Sequence, residues 1–371
     1  MMNCTFKYIY ALLALCFVGC TNIPIDDDIV VEEEESYLSD EESLDRDYVN
    51  GDYVKLHSAT INDEAQGVNF ILVGDGFTTE HMAQGGTYET VMKIAKEALI
   101  DIEPLKSYSE YVNIYFVVAV SEDSGIEEGG NTAIGCEFGE GTLISGSETK
   151  AFAYGRAIPG ISLSESVIVV VLNSGKYAGT TYQYSLAGEH YGVIAYCPIV
   201  SYNQAAFGEL IHHEALGHGL GWLMDEYIYY DESIKGDSEA MADIEDTHSY
   251  GGGVNISLDI ATTPWSHFVG LDDYDMVGSY EGGYFYSEDV WRPEENSCMN
   301  NNVSYFNAPS REAMVKRLFD IAGCTYDFDE FKVKDAVNLT SDITSRSEMT
   351  SITRGDGSLA EPLHPPIRVE M

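Results

Sequence analysis

The chain has 371 residues, enough for one large domain or two modest ones, and either size buries the apolar surface that a cavity-bearing enzyme needs. Its 62 acidic residues against 19 basic ones give a formal charge of -43, which argues against nucleic acid and anionic membrane surfaces as partners because phosphates would be repelled. Cationic partners, metal ions and solubility outside the cell stay compatible with that charge.

The opening stretch, MMNCTFKYIYALLALCFVGC, joins an early Lys7 to an apolar run of signal-peptide length, too short for a comfortable transmembrane helix. It ends in Phe17-Val18-Gly19-Cys20, which resembles the bacterial lipobox, with Phe17 bulkier than the usual Leu. That resemblance implies cleavage before Cys20 and a lipid on Cys20 that anchors an otherwise soluble protein. From Asp26 to Asp47, twelve acidic residues face the lone Arg46, which predicts a self-repelling tether. Its place straight after Cys20 resembles the acidic export signal of lipoproteins of the Bacteroides group and implies the outer face of the outer membrane. Cys4 and Cys16 leave with the leader, so Cys136, Cys197, Cys298 and Cys324 remain for disulfides; they hold no close pair that would suit a thiolate zinc site.

Beyond the tether, strands and helices alternate. The apolar run from Val68 to Val73 reads as a strand and residues 83 to 102 as a helix. Val112 to Val120 and Val167 to Leu172 are β-branched enough to be buried strands, with a short helix near Thr149 to Ala157 between them. Tyr191 to Tyr196 reads as a shorter strand at a sheet edge. Asn203, a natural N-cap, opens a helix that runs to about His218 with Ala206, Phe207, Leu210 and Ile211 in register. After Glu226 the sequence turns to Gly, Asp, Tyr and Ser up to Trp291, which predicts a loop-rich lower half. A last helix spans Pro309 to Ile321, capped by Asn307 or Ser310, and from Asp327 onward the residues are polar and without a clear period.

The helix from Asn203 carries His213-Glu214-Ala215-Leu216-Gly217-His218. A metal-dependent hydrolase needs imidazoles converging on one ion, a further ligand, an open position for water and a carboxylate as base. His213 and His218 supply the nitrogens and Glu214 the base. The common H-E-x-x-H pattern sets its ligands four apart on one helix face, whereas here they are five apart. Five residues of a regular helix advance about 500°, leaving the rings roughly 140° out of line. A π-bulge absorbs one residue and restores convergence, and Gly217 is where that distortion is cheapest. The same H-E-x-x-G-H spacing resembles the zinc motif of the type III dipeptidyl peptidases. A rival local reading keeps a regular helix and uses Glu214 and His218 as ligands, leaving the base unassigned. Gly219 and Gly221 then end the helix and turn the chain back. The third ligand is expected at Asp225, with Glu226 as substitute.

HEALGHGLGWLMDEY resembles the active-site segment of the bacterial IgA-peptidase family of zinc metallopeptidases, particularly its Bacteroides-type members, up to the closing Asp225-Glu226-Tyr227. Val73-Gly74-Asp75-Gly76-Phe77, Asn296-Ser297-Cys298-Met299 and Tyr305-Phe306-Asn307-Ala308-Pro309-Ser310-Arg311 agree as well. The resemblance implies an α/β zincin fold of the metzincin kind: a twisted mixed sheet, an active-site helix, a loop-rich C-terminal subdomain and Met299 as a hydrophobic turn beneath the zinc. It divides the chain into a leader (1–19), a lipidated tether (20–50), a catalytic domain (51–326) and a tail (327–371).

The expected activity is zinc-dependent hydrolysis of peptide bonds in extracellular protein or glycoprotein by a monomeric enzyme, with Glu214 as general base. Substrate is expected to add to the strand near Tyr191. The alternative from another class is an inactive surface binding or adhesion protein, and hydrolysis of a non-peptide amide would use the same residues. His212 reads as a packed or surface histidine, and His190, His248 and His267 as either structural histidines or transition-state donors. Asp75 reads as either a turn former or a calcium ligand, and Arg311 as either a surface charge or a cleft residue.

Overall fold

This computed structural model describes residues 37–38, 46–61, 66–200, 204–228, 238–338 and 363–371. The leader, Cys20, most of the acidic tether and Asn203 lie outside the described residues.

An eight-stranded mixed sheet organises the molecule. Its strands are β1 (Tyr37–Leu38), β2 (Tyr53–His57), β3 (Val68–Asp75), β4 (Val112–Val117), β7 (Ser166–Leu172), β8 (Thr180–Leu186), β9 (Glu189–Pro198) and β12 (Ile367–Glu370), in the order β1-β2-β4-β3-β7-β9-β8-β12. The four central strands β4, β3, β7 and β9 run parallel, and β2 and β8 flank them antiparallel. Two small hairpins lie outside the sheet: β5 (Glu137–Phe138) with β6 (Ile144–Ser145), and β10 (Tyr280–Gly283) with β11 (Tyr286–Arg292).

The near-continuous Val, Ile and Leu runs of β3 and β7 follow from burial on both faces. Alternate β7 residues Val167, Val169 and Val171 meet a core shared by α1 (Thr87–Ile100), α3 (Gln204–Ile211), α6 (Ala308–Ile321) and α7 (Phe328–Asp335). Ile168, Val170 and Leu172 face a second core that includes Ala151 and Phe152 of α2 (Glu148–Arg156). Asn307 caps α6, its side chain accepting from Ser310 N. Among the described residues, the loop-rich half carries α4 (Ser238–Ser249) and a short 3-10 turn at Asp272–Tyr274, followed by the short α5 (Cys298–Asn301).

Two expectations change. The strand at Tyr191 is the ten-residue β9, paired on both sides, and so is not an edge. Its partner β8 joins it through a tight hairpin in which Ala187 and Gly188 both have positive φ, the primed turn that matches strand twist. Disulfides among the four downstream cysteines are not formed either, since Cys136, Cys197 and Cys298 are buried free thiols. The polar stretch after Asp327 supplies α7, whose Phe331 is buried in the larger core, and β12.

Candidate metal centre

Helix α3 passes without a break into a π-helix over His212–Leu220, so the one-residue excess in the motif is absorbed by widening the helix. Gly221 N donates to Leu216 O, five residues back, at 2.8 Å. The wider turn brings the rings of His213 and His218 to 4.7 Å between centroids, nearly perpendicular. His213 Nε2 lies 3.1 Å and His218 Nε2 3.5 Å from the same Oδ1 of Asp225. Donor atoms of all three residues fall within 4.8 Å of one another, and all three side chains are fully buried.

The far side of each ring is fixed. His213 Nδ1 donates to Cys298 O at 3.2 Å and His218 Nδ1 to Leu223 O at 2.8 Å, so the protons sit on Nδ1 and both Nε2 lone pairs turn inward. Tyr227 stacks on His213 with planes 21° apart, and its hydroxyl donates to Asn302, whose amide donates in turn to Tyr177. Among the described residues His218 Nε2, Asp225 Oδ2 and Glu214 Oε1 are buried without a hydrogen-bond partner. Buried polar atoms are rarely left so, and two of these belong to the three residues whose donor atoms cluster, which fits a divalent cation, with the free Glu214 oxygen available to a water. Burial alone would push the Asp225 carboxyl up, but His218 and His213 outweigh it and hold the group down at about 2.

Glu214 projects toward β8. Thr181 donates to its Oε2 at 2.6 Å, and a Cβ at Gly179 would stand 2.9 Å from its Cγ and closer still to Oε1. Burial raises the Glu214 carboxyl above its ordinary value despite the two histidines and Thr181. Gln183, also on β8, donates to His218 O at 2.8 Å. Thr181, Gly179 and Gln183 escaped the sequence reading. The alternation in Thr180-Thr181-Tyr182-Gln183-Tyr184 just before Ala187-Gly188 was the available signal.

Glu226 points elsewhere: it accepts from Ser297, Asn255 and Asn307, and its N–H donates to Met299 O. Burial raises its carboxyl to about 7. The three amide and hydroxyl donors make it a knot that ties the 225 loop to α5 and to the start of α6. Met299 is buried beneath the π-helix, where a Cβ at Gly217 would stand 2.9 Å from its Cε and closer to Sδ. Gly217 thus gives the methionine room.

Gly219 and Gly221 do not turn the chain. Gly219 lies inside the π-helix, where a Cβ would crowd Val167 at 3.0 Å, and Gly221 keeps a right-handed φ. The reversal falls on Trp222, whose φ is 50°. The other histidines considered from the sequence lie outside the cluster of three: His212 bonds Ala98 O, His248 bonds Gly253 O and Ile256 O, His267 meets Glu312, and His190 packs on Trp222. Asp75 accepts from Thr132, Ile134 N and Cys136 N and organises that loop. Arg311 is buried in a bidentate pair with Asp335 at 2.7 Å, joining α6 to α7. A large cavity of about 1120 Å³ beside α1 and α3 includes Glu209, His212 and Arg311 in its wall but none of the three converging residues.

The sequence model of the family described as IgA Peptidase M64 matches residues 56–273, more than half of the chain and inclusive of the π-helix and Asp225. No curated protein matches the chain.

Proposed function

Because the chain belongs to the IgA Peptidase M64 family, we propose that it is a zinc-dependent endopeptidase, with His213, His218 and Asp225 holding the metal and Glu214 as general base. The observation that carries this reading is the convergence of inward-facing Nε2 atoms and an unpartnered carboxylate oxygen beside a second buried carboxylate that reaches none of them. A structural zinc site takes four protein ligands and has no use for a base, so the intact Glu214 favours catalysis over an inactive surface-binding protein.

Bound zinc supplies Lewis acidity, polarising a peptide carbonyl and making water acidic near neutral pH. Glu214, with Oε2 tied to Thr181 and Oε1 free, takes the proton of the attacking water and delivers it to the leaving amine. The Nδ1 bonds of the two histidines to backbone carbonyls keep both rings in the ligating tautomer. Met299 under Gly217 fits the hydrophobic turn of a metzincin-like zincin fold. In this reading the enzyme is monomeric, anchored through lipid on Cys20 and exposed on the outer membrane, where it acts on extracellular proteins or glycoproteins.

The test is metal content by mass spectrometry on the parent and His218→Ala, with cleavage of a broad peptide library followed for the parent and Glu214→Ala. Near-stoichiometric zinc lost in the histidine variant, and cleavage lost but zinc kept in the glutamate variant, is the expected pattern. A metal-free parent that cleaves nothing would overturn it in favour of the binding protein.

A further inference from the structure

Strand β8 carries the residue that holds Glu214 and the residue that braces the His218 backbone, and β9 covers only one of its two edges. The other edge is occupied as well. Residues Ile367 to Glu370 pair with it in parallel, Ile367 opposite Tyr182 and Glu370 opposite Ser185.

Contacts at both ends fix where this segment lies. Upstream, Leu363 is buried with Val200, Ala206 and Leu210 and packs on Tyr177, which Asn302 links to the tyrosine stacked on His213. Downstream, Pro366 and Arg368 share the wall of a cavity of about 220 Å³ with Trp222, Leu223 and Tyr284. The backbone N–H of Tyr284 donates to Asp225 O at 3.0 Å, so this wall too adjoins the candidate centre. Between Leu363 and the strand run His364, Pro365 and Pro366, and the two prolines have no N–H to offer a neighbouring strand.

Specific side-chain contacts hold the segment down. Arg368 pairs with Asp246 of α4 and lies over the Tyr250 ring, while Glu370 accepts from Ser185 Oγ and Gly188 N. The Met371 N–H donates to Ser185 O at 2.9 Å, and Val369 packs on the smaller core. With the segment in place Glu214, His213, His218 and Asp225 are all fully buried.

We propose that residues 363–371 are a built-in competitor for the peptide-binding edge: they keep the centre latent, and an extended peptide substrate gains access by displacing them. Main-chain pairing along β8 is what the segment and an extended substrate share, so the two exclude one another. The inference rests on the peptidase reading for the nature of the ligand, but its test does not depend on catalysis.

The full chain is compared with Val369→Pro, which removes a strand N–H, and with Arg368→Glu, a surface change that sets like charges against Asp246. Hydrogen exchange at the amides of Tyr182 to Ser185, zinc removal by a chelator and cleavage of a peptide library are measured on each. In Val369→Pro exchange and zinc loss quicken by roughly tenfold, the size of one lost ladder hydrogen bond, in Arg368→Glu by a few-fold, the size of a surface ion pair, and cleavage rises in step. A free peptide with the sequence of residues 363–371 returns Val369→Pro to the parent behaviour. Unchanged exchange in folded variants overturns the inference, whether or not they cleave. Faster exchange at the β8 amides without faster zinc loss overturns it too, leaving an ordinary edge strand, whereas faster exchange and faster zinc loss with no cleavage by any form upholds the access role and removes the peptidase reading instead.

Discussion

Replacing Thr181 with Val keeps the side-chain shape but removes a hydroxyl that lies 2.6 Å from Glu214 Oε2 and 3.0 Å from the Glu214 backbone oxygen. Because Oε1 has no partner, the carboxylate is then left without a protein donor. A hydrogen bond to a charged group is worth about 1.5–3 kcal/mol, and each 1.4 kcal/mol is about tenfold in rate. The expected outcome is therefore a fall in kcat/KM of about 10- to 100-fold at unchanged zinc content, since Thr181 is not among the converging donors. The Glu214 carboxyl, already raised by burial, rises further, so the acid limb of the pH profile moves to higher pH. Thr181→Ser restores the donor and most of the activity. Steady-state kinetics on a fluorogenic peptide, paired with metal analysis, reads all three effects. A Val variant with parent kcat/KM and parent acid limb would refute the positioning role, and a loss of zinc that matches the loss of rate would assign Thr181 to the integrity of the centre.

Gly217→Ala drives a methyl into Met299, and overpacking of this kind destabilises by about 1–3 kcal/mol, visible as a lower urea midpoint; a parent-like midpoint would show that Met299 yields freely. Arg311→Met leaves Asp335 buried without its guanidinium, a loss of about 3–5 kcal/mol in thermal unfolding, and adding Asp335→Leu is expected to recover much of it. Burial holds Glu209 at about 7 against 4.5 unfolded, so its contribution is present below pH 4.5 and lost as pH rises through 7. Glu209→Gln should accordingly unfold at higher urea than the parent above pH 7, with the gap closing near pH 4.5, and a gap independent of pH would contradict the assignment.

Much of the scaffold was legible because its signals are local. The β-branched runs at Val68 and Val167 declare strands buried on two faces, and Asn307-Ala308-Pro309-Ser310 declares a helix start with a cap and an early proline. The π-helix was legible too, since five-residue spacing and convergence cannot both hold on a regular helix, and the helix widens where that conflict lies. Strand β8 was not. Its seven-residue separation from the previous strand, residues 173–179, and its mixture of Thr, Tyr and Gln resemble a loop until the hairpin at Ala187-Gly188 is paired with β9. With β8 missing, β9 looked like an edge and Glu214 had no visible support.

Adjacent carboxylates at Asp225 and Glu226 are chemically equivalent as metal ligands, so the sequence alone leaves the choice open. What separates them is long-range. Asn255, Ser297 and Asn307 arrive from three distant segments and saturate Glu226, while Met299 O fixes its backbone with the side chain turned from the histidines. Asp225 is left facing His213 and His218 with one oxygen free. Removing the three donors rather than the ligand itself would therefore disturb the centre through the 225 loop, because an unpartnered Glu226 in that site must either take a proton or move.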